Sequence, residues 1–299
     1  MPPSVAVVLH KKKVRPKARA QLRAALVDAG VDEPLWYEVP KSRKARKKAR
    51  KASKEGADVV IAWGGDGTVQ RCVDALAGRD TALAIIPAGT SNLLARSFDI
   101  PTDARDALEV ALSGARRTID TGSVNGEAFA VVAGAGLDAL LVEEADSEIK
   151  SRFGRAAYVY AGLKNIAMDA FEVDVQVDGE RAFRGECTSV FVGNLREAVG
   201  GFELSETAEP DDGVLEVGII TAEGPLQLIR TAARALLRSA DESPHVTTTE
   251  GTSVVLQFDR PVPYELDGGE RDPARLLEID VQPGSLTVCV PGTSGDRAP

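Results

Sequence analysis

Short apolar runs alternate with helical patterns over the first 120 residues. Three runs of five apolar residues are typical of buried strands: Val5–Leu9, Val59–Trp63 and Ala82–Ile86. Helical spacing of apolar positions predicts helices between and after them, at Ala18–Ala29, about 42–54, Val69–Ala77 and Leu93–Ser97. Strands that alternate with helices predict a parallel sheet covered on both faces, and so an α/β domain at residues 1–120.

The pattern changes after about Asp120. Longer strand candidates follow, at Phe129–Ala133, Glu172–Val177, Thr188–Val192, Leu215–Ile220, Ser253–Phe258 and Leu277–Val281. They predict an antiparallel, β-rich, sandwich-like domain over residues 121–284, interrupted by an amphipathic helix at 226–238. The polar tail at 292–299 is expected to be disordered.

The net charge of −9 is distributed unevenly. Residues 1–54 hold 16 Lys and Arg against 4 Asp and Glu, so the rest of the chain is strongly acidic. The stretch Lys41–Lys54 places alanines at helical spacing on a basic helix, which either forms a solvated face or meets anionic lipid headgroups or nucleotide phosphates. Nucleic acid is not expected as a partner, because no aromatic residues are interleaved with these cations.

Composition also bears on location. No uncharged apolar run approaches the roughly 18–20 residues that a membrane span requires, and the N-terminus has neither the length nor the order of a secretory signal. A cytoplasmic protein is expected. Three scattered cysteines suggest neither disulfides nor a zinc site, and they are predicted to be buried thiols. Oligomeric state is not visible in the sequence, and a homodimer is left open.

The clearest chemical signal is the run Gly64-Gly65-Asp66-Gly67-Thr68, which separates an apolar strand from a helix. Glycines let the backbone approach a ligand closely, and a helix N-terminus offers N–H groups to a phosphate. Asp66 in such a cradle implies a divalent cation, Mg²⁺, between the carboxylate and the phosphates. The alternative is a tight turn in which Asp66 and Thr68 are capping residues.

A second polar loop, Pro87–Asn92, follows the next strand and opens the helical run Leu93–Ser97. Parallel strands put their carboxyl-terminal loops at one sheet edge, so both loops are predicted to line one crevice. Helix capping by Thr90, Ser91 or Asn92 is the alternative.

Together the two loops and the following Leu93–Arg96 resemble the diacylglycerol kinase catalytic domain family, which includes bacterial lipid kinases and sphingosine kinases. Two later segments are also similar. Pro210–Gly213 resembles the family's structural metal loop, which implies a carboxylate from Asp212 and the carbonyls of Glu209 and Val214. Tyr264–Glu270 resembles the family's Asp-Gly-Glu segment, which implies Glu270 as the base that deprotonates the acceptor hydroxyl, with Asp267 assisting.

The resemblance implies a two-domain, NAD kinase-like architecture whose last strand, near 285–290, returns to the first domain. It implies an enzyme that uses ATP and Mg²⁺ to phosphorylate a lipid hydroxyl at the membrane surface, with diacylglycerol giving phosphatidic acid for phospholipid biosynthesis. The residues expected to bind ATP lie in the two loops: Gly64, Gly65, Asp66, Gly67, Thr68, Gly89, Thr90 and Asn92. Asp66 is expected to hold the catalytic Mg²⁺.

Several departures keep alternatives open. The family has an Asn-Pro pair where this chain has His10-Lys11, and Lys11–Lys13 could supply phosphate-binding cations instead. Gly269 is an additional glycine relative to the family's Asp-Gly-Glu segment. From the residues alone, Asp267 and Glu270 could belong simply to a hairpin turn. An NAD kinase-like enzyme and a noncatalytic lipid-binding protein on the same scaffold are the alternative functions. Gly134–Ala139 also fits a dinucleotide fingerprint, but it lies in the β-rich half and is interpreted as a glycine-rich turn.

Overall fold

The protein is described by a computed structural model that covers residues 3–136, 170–195, 208–221 and 245–292. The chain forms two compact units. The first holds the residues up to Thr121, Glu127–Ala130 and the residues from Gln282 onward, and the second holds Gly122–Gly126 and Val131–Val281. No helix within the described ranges is both long and apolar enough to cross a membrane.

A parallel sheet forms the centre of the first unit. Its strands are β1 (Val5–His10), β2 (Leu35–Val39), β3 (Val59–Gly64), β4 (Ala82–Pro87) and the end of β14 (Gly269–Val290). They lie in the order β14-β4-β3-β1-β2, and every neighbouring pair is parallel. Strands β1 and β3 are buried along their whole length, as expected of strands covered on both faces.

In the described part of the first unit the chain forms five α-helices: α1 (Pro16–Asp28), α2 (Ala45–Lys54), α3 (Asp66–Leu76), α4 (Leu93–Ser97) and α5 (Ala104–Ser113). A 3-10 turn at Ser42–Lys44 leads into α2. Helix α2 consists mainly of Lys and Arg, yet it packs because Ala45, Ala49 and Ala52 are fully buried on one side.

The order of the strands sets the position of a crevice. The chain passes from β1 to β2 on one side of β1, and then returns to β3 on the other side. Right-handed crossovers therefore place α1 and α2 on opposite faces. Open α/β sheets bind ligands beyond the carboxyl ends of the strands where this reversal occurs. Here that position lies between β1 and β3, at the segments 10–14 and 64–68.

The second unit is antiparallel. Beyond β5 (Ala115–Val124) and β6 (Glu127–Phe129) the strands are β7 (Val132–Ala135), β8 (Phe171–Val177), β9 (Glu180–Cys187), β10 (Ser189–Gly193), β11 (Leu215–Ile220), β12 (Val246–Gly251) and β13 (Ser253–Leu266). Within this unit the order is β12-β11-β10-β7-β13-β14, and the β8–β9 hairpin pairs with β13. Alternate residues of β8 are buried, so this strand presents one face to the core, whereas β10 and β11 are buried along their whole length.

The predicted fold class is confirmed: a parallel α/β unit is combined with a β-rich unit. The predicted strand Phe129–Ala133 is instead divided between β6 and β7. The predicted helix at 226–238 and the tail beyond Gly292 lie outside the described residues. All three cysteines are buried free thiols, as predicted, and desolvation raises the pKa of Cys72 to about 12.

Candidate functional site

The first glycine loop links β3 to α3 and is tightly packed. Gly65 is the N-cap residue of α3 and, as a glycine, offers no side chain to cap this helix terminus. A Cβ on Gly64 would lie 2.7 Å from the Cβ of Thr68, so only glycine fits there. The side chain of Thr68 is buried and its hydroxyl contacts the Ser42 hydroxyl at 3.1 Å. The loop therefore exposes backbone rather than side chains, as a phosphate cradle requires.

The second loop is closed by one side chain. The amide nitrogen of Gly89 donates to Oδ1 of Asn92 at 2.9 Å, and Nδ2 of Asn92 donates back to the Gly89 carbonyl at 2.9 Å. Asn92 has φ +48°, a left-handed conformation that asparagine tolerates better than most residues. Thr90 is exposed at the tip of the loop. Asn92 thus shapes the loop, and Thr90 is the side chain there that is presented to solvent.

The two loops meet backbone to backbone. The amide of Ala88 donates to the Gly64 carbonyl at 2.8 Å. A Cβ on Gly65 would lie 3.0 Å from Cα of Gly89, and a Cβ on Gly89 would lie 2.6 Å from Cα of Gly65. Real Cβ atoms are essentially never found at the shorter of these distances, so position 89 requires glycine, and a Cβ at position 65 would be in a contact tighter than most real ones. The structure brings all eight sequence-predicted nucleotide-binding residues to this one edge of the sheet.

Asp66 ties the first loop to the second. Its Oδ2 accepts a hydrogen bond from the amide of Asn92 at 2.9 Å, and its Oδ1 accepts one from the amide of Leu93 at 2.6 Å. These amides begin helix α4, so the carboxylate caps a helix that belongs to the other loop. Capping had been one of the alternatives for this residue, whereas its predicted role as a Mg²⁺ ligand stays a prediction.

A third segment follows β1 at the same edge. His10 ends β1 and is 9% exposed, and its Nδ1 has no hydrogen-bond partner among the described residues. Burial and the nearby charges of Lys13 and Lys12 lower the pKa of His10 below its usual value, which favours the neutral imidazole. Lys13 extends its ammonium group over Gly65: a Cβ built there would lie 2.6 Å from Nζ.

In the second unit, Asp267 and Gly268 form the two-residue turn between β13 and β14. Both have positive φ, +47° and +71°, which is the requirement of a type I′ hairpin turn. The Asp267 carboxylate is 4% exposed, and its Oδ1 accepts hydrogen bonds from the amides of Val131 (2.8 Å) and Val132 (3.0 Å). The structure therefore gives Asp267 an anchoring position, and its catalytic assistance stays a prediction.

Glu270 lies on β14 directly opposite Glu265 of β13. Residues paired in this way share one face of the hairpin, with Cβ atoms roughly 4.5–5.5 Å apart. Glu270 is exposed, whereas Glu265 is only 6% exposed. The sequence analysis did not single out Glu265. A carboxylate between Tyr264 and Leu266 in a strand that is otherwise partly buried is the signal that could have identified it.

The predicted structural metal loop is a tight turn around Asp212. The amide of Glu209 donates to its Oδ2 at 2.9 Å and the amide of Val214 donates to its Oδ1 at 3.0 Å. These are the residues whose carbonyls were expected to bind a metal, and the metal itself stays a prediction. Across the described ranges, no group of three or more His, Cys, Asp or Glu side chains is arranged to hold a metal ion.

Asp66 likewise belongs to no cluster of metal-ligating side chains among the described residues. Both of its carboxylate oxygens accept hydrogen bonds from backbone amides, so the residues at the loops do not form a metal cage of their own.

The sheet does not support the dinucleotide fingerprint that begins at Gly134. Such a turn follows a parallel strand, whereas β7 is antiparallel to both of its neighbours.

A parallel sheet whose glycine loops meet at the carboxyl edge, together with a β-rich unit, defines a class of two-unit α/β proteins. The model of the diacylglycerol kinase catalytic domain matches residues 7–124, and that of the YegS C-terminal NAD kinase beta sandwich-like domain matches residues 130–290. The chain belongs to the diacylglycerol kinase family, and with it to the lipid kinase-type phosphotransferases.

Individual relatives agree with this assignment. A diacylglycerol kinase of Bacillus subtilis is 34% identical over 229 residues, which are 74% of this chain and 75% of that protein. A diacylglycerol kinase structure from Bacillus anthracis has a TM-score of 0.75 at 21% identity, covering 96% of this chain and 97% of that one. An NAD kinase from Archaeoglobus fulgidus, solved with ATP, has a TM-score of 0.52 at 12% identity, covering 95% and 93%. The last two similarities concern the fold alone.

Proposed function

We propose that this protein transfers the γ-phosphate of ATP to a hydroxyl of a membrane lipid, with diacylglycerol as the acceptor and phosphatidic acid as the product. Family membership supports the reaction class. The observation that carries the nucleotide assignment is the backbone contact between Gly65 and Gly89, held by the Asp66 carboxylate. It leaves a surface of backbone and an uncapped helix N-terminus at the place where open α/β sheets bind ligands.

ATP fits this edge because its phosphates need closely spaced N–H donors and cations. The amides of Asp66 and Gly67 begin α3 and have no preceding helical carbonyl to donate to, whereas the Thr68 amide donates to the Gly65 carbonyl at 2.8 Å. The helix dipole favours an anion at this terminus. Mg²⁺ would arrive with the nucleotide, since it commonly keeps several waters and needs few protein ligands, and it would neutralise charge on the phosphates.

The acceptor hydroxyl must lose a proton as its oxygen attacks the γ-phosphorus. In the mechanism we propose, Glu270 accepts this proton, the new P–O bond forms, the bond to the bridging oxygen of ADP breaks, and ADP leaves. Glu265 on the same hairpin face orients Glu270 or shares its charge. Like charges placed directly opposite cost stability, and such local costs are typical of functional sites.

Contact with the membrane surface is proposed for helix α2 and the turn before it. Two of the exposed cations already have acidic partners, since Arg46 pairs with Asp74 and Lys51 with Glu55. Five others have no ion-pair partner among the described residues: Arg43, Lys44, Lys47, Arg50 and Lys54. Each basic residue near an anionic surface contributes about 1 kcal/mol to binding, and this contribution decreases with salt.

This surface is tested by vesicle sedimentation. A triple variant Lys44→Gln, Lys47→Gln, Lys54→Gln should lose affinity for anionic vesicles at low salt. A control triple variant with the same charge change, Arg15→Gln, Lys17→Gln and Arg105→Gln, should bind as the wild type does, because these exposed cations lie on α1, its N-cap and α5. Equal losses in both variants would show that only net charge matters.

The reaction is tested with radiolabelled ATP and a panel of acceptors in mixed micelles containing Mg²⁺. Diacylglycerol should be phosphorylated, and Glu270→Gln should lower kcat about 10²- to 10⁴-fold. Glu278→Gln, an exposed carboxylate on the same strand, is the matched control and should retain near-normal turnover. Phosphorylation of NAD instead of lipid would favour the NAD kinase alternative. ATP binding without transfer to any acceptor would favour a noncatalytic protein.

A further inference from the structure

The segment after β1 is fixed in place by its own hydrogen bonds. The amides of Lys13 and Val14 both donate to the His10 carbonyl, at 3.0 and 3.1 Å, so the chain makes a tight turn as it leaves the strand. The amide of Lys11 donates to the Val39 carbonyl at 2.8 Å, which ties the turn to the end of β2. The turn therefore begins at a defined position on the sheet edge.

Arg19 of helix α1 braces this turn from the other side. Its guanidinium donates to the carbonyls of Lys11 (2.5 Å) and Val14 (2.7 and 3.1 Å). The same guanidinium pairs with Glu38 at 2.9 Å, and its side chain is only 14% exposed. Such a multiply bonded arginine holds the backbone on both sides of Lys13, so the direction in which Lys13 leaves the turn is set by the fold.

The ammonium group of Lys13 lies against the first glycine loop, and it has no ion-pair partner in the part of the chain that the structure describes. It approaches Gly65 so closely that a Cβ there would be 2.6 Å from Nζ. Among the described residues, no carboxylate lies within ion-pair distance of it, and the nearby Asp66 is occupied by the amides of Asn92 and Leu93. Gly65 also begins α3, whose N-terminus carries partial positive charge.

A cation beside the positive end of a helix is unfavourable unless an anion lies between them. The buried Nδ1 of His10, which has no hydrogen-bond partner among the described residues, is a second polar group left unsatisfied in the same turn. Leu9 pairs with Trp63, so that His10 and Gly64 follow at the same edge. The position of Lys13 beside the helix terminus indicates a negatively charged ligand. The unpartnered Nδ1 of His10 indicates only that a polar group is missing there.

We propose that Lys13 is the cation that contacts the phosphates of the nucleotide on the first glycine loop, and that Lys11 and Lys12 have no such role. This inference rests on the proposed nucleotide site and identifies the side chain that recognises the phosphates there. The position of the turn at the β1–β3 reversal places Lys13 where ligands of open α/β sheets lie. Lys13 would also provide a phosphate contact in a chain that has His10-Lys11 after its first strand, where the family has an Asn-Pro pair.

The test is calorimetric titration of the full chain with ATP, ADP and adenosine. Lys13→Ala should weaken ATP binding about tenfold or more, because a charge-assisted hydrogen bond is lost, and should weaken ADP binding less. Adenosine binding should not change. Lys12→Ala is the matched control, since it removes the same charge from the same turn, and its ATP affinity should stay within about twofold of wild type. Lys13→Arg should restore part of the lost affinity.

The outcomes separate this inference from the proposed function. If the wild type binds ATP and Lys13→Ala binds it equally well, Lys13 is not the phosphate contact and the proposed function stands. Equal losses for ATP and adenosine, or for Lys12→Ala and Lys13→Ala, would also overturn the inference. If the wild type binds no nucleotide, both proposals fail. Thermal unfolding of Lys13→Ala should match wild type, because the Lys13 side chain is exposed.

Discussion

Replacing Asp66 by asparagine tests whether this carboxylate holds the two loops together. In the wild type each carboxylate oxygen accepts one backbone amide hydrogen bond, from Asn92 at 2.9 Å and from Leu93 at 2.6 Å. Asparagine keeps one acceptor but presents an N–H₂ group to the other amide. One charge-assisted bond is lost and one N–H is left unmet, which costs about 1–3 kcal/mol in a site of this partial burial.

Tryptophan fluorescence during urea unfolding measures this cost directly. Both tryptophans, Trp36 and Trp63, lie in strands of the first unit, so the signal reports the unit that contains Asp66. A loss of about 1–3 kcal/mol corresponds to a lowering of Tm by roughly 2–12 °C. Asp66→Ala removes both acceptors and should destabilise more than Asp66→Asn.

Asp103→Ala is the control for this experiment. Asp103 caps helix α5 through the amides of Arg105 (2.8 Å) and Asp106 (3.3 Å), so its removal should cost about 1 kcal/mol and leave phosphoryl transfer unchanged. If Asp66→Asn unfolds like wild type while turnover is lost, the carboxylate acts on ligands alone and the capping argument is refuted. If stability falls and turnover is intact, Asp66 has no role in the chemistry.

Two further predictions concern glycine packing and pH. Gly89→Ala should lower the free energy of unfolding by about 1–3 kcal/mol, since its Cβ would lie 2.6 Å from Cα of Gly65. The control Gly67→Ala should be neutral or stabilising, because its Cβ would meet only Ser42, at 3.6 Å. Equal effects of the two substitutions would refute the close contact as the cause. Hydrogen bonds from the Thr252 hydroxyl and from the backbone amides of residues 252 and 253 lower the pKa of Asp178 below its usual 3.8. The ionised Asp178 therefore stabilises the fold above pH 3.8, and this contribution is lost as the pH falls through the lowered pKa. In acid unfolding, Asp178→Asn should lose less stability than wild type as the pH falls below 3.8, and an unchanged pH dependence would contradict these hydrogen bonds as the cause.

The parallel sheet was predictable because its central strands are buried on both faces. The apolar runs in β1, β3 and β4 therefore stand out in the sequence. Strand β2 was not predicted, since it lies at the sheet edge and most of its side chains are only half-buried. Strand β9 was also not predicted, because its residues are mostly exposed and its pairing with β8 in a hairpin is not visible in the periodicity of the sequence.

The two glycine loops were also predictable, because the order of strand, loop and helix is local. Their backbone contact was not, since it depends on the close approach of Gly65 to Gly89, which are 24 positions apart in the sequence. The capping role of Asp66 and the anchoring role of Asp267 were proposed only in general form, as turn or cap alternatives. Which backbone amides they accept is set by tertiary packing.

Amide hydrogen exchange in the presence and absence of Mg²⁺–ATP tests whether the two glycine loops together bind the nucleotide, since it reports on each loop separately. ATP should slow exchange in peptides that cover residues 64–68 and 87–92 together. Peptides from the β8–β9 hairpin of the second unit should exchange at the same rate with and without the nucleotide. If saturating ATP protects only other segments and leaves both loops unchanged, the loops are not the nucleotide site.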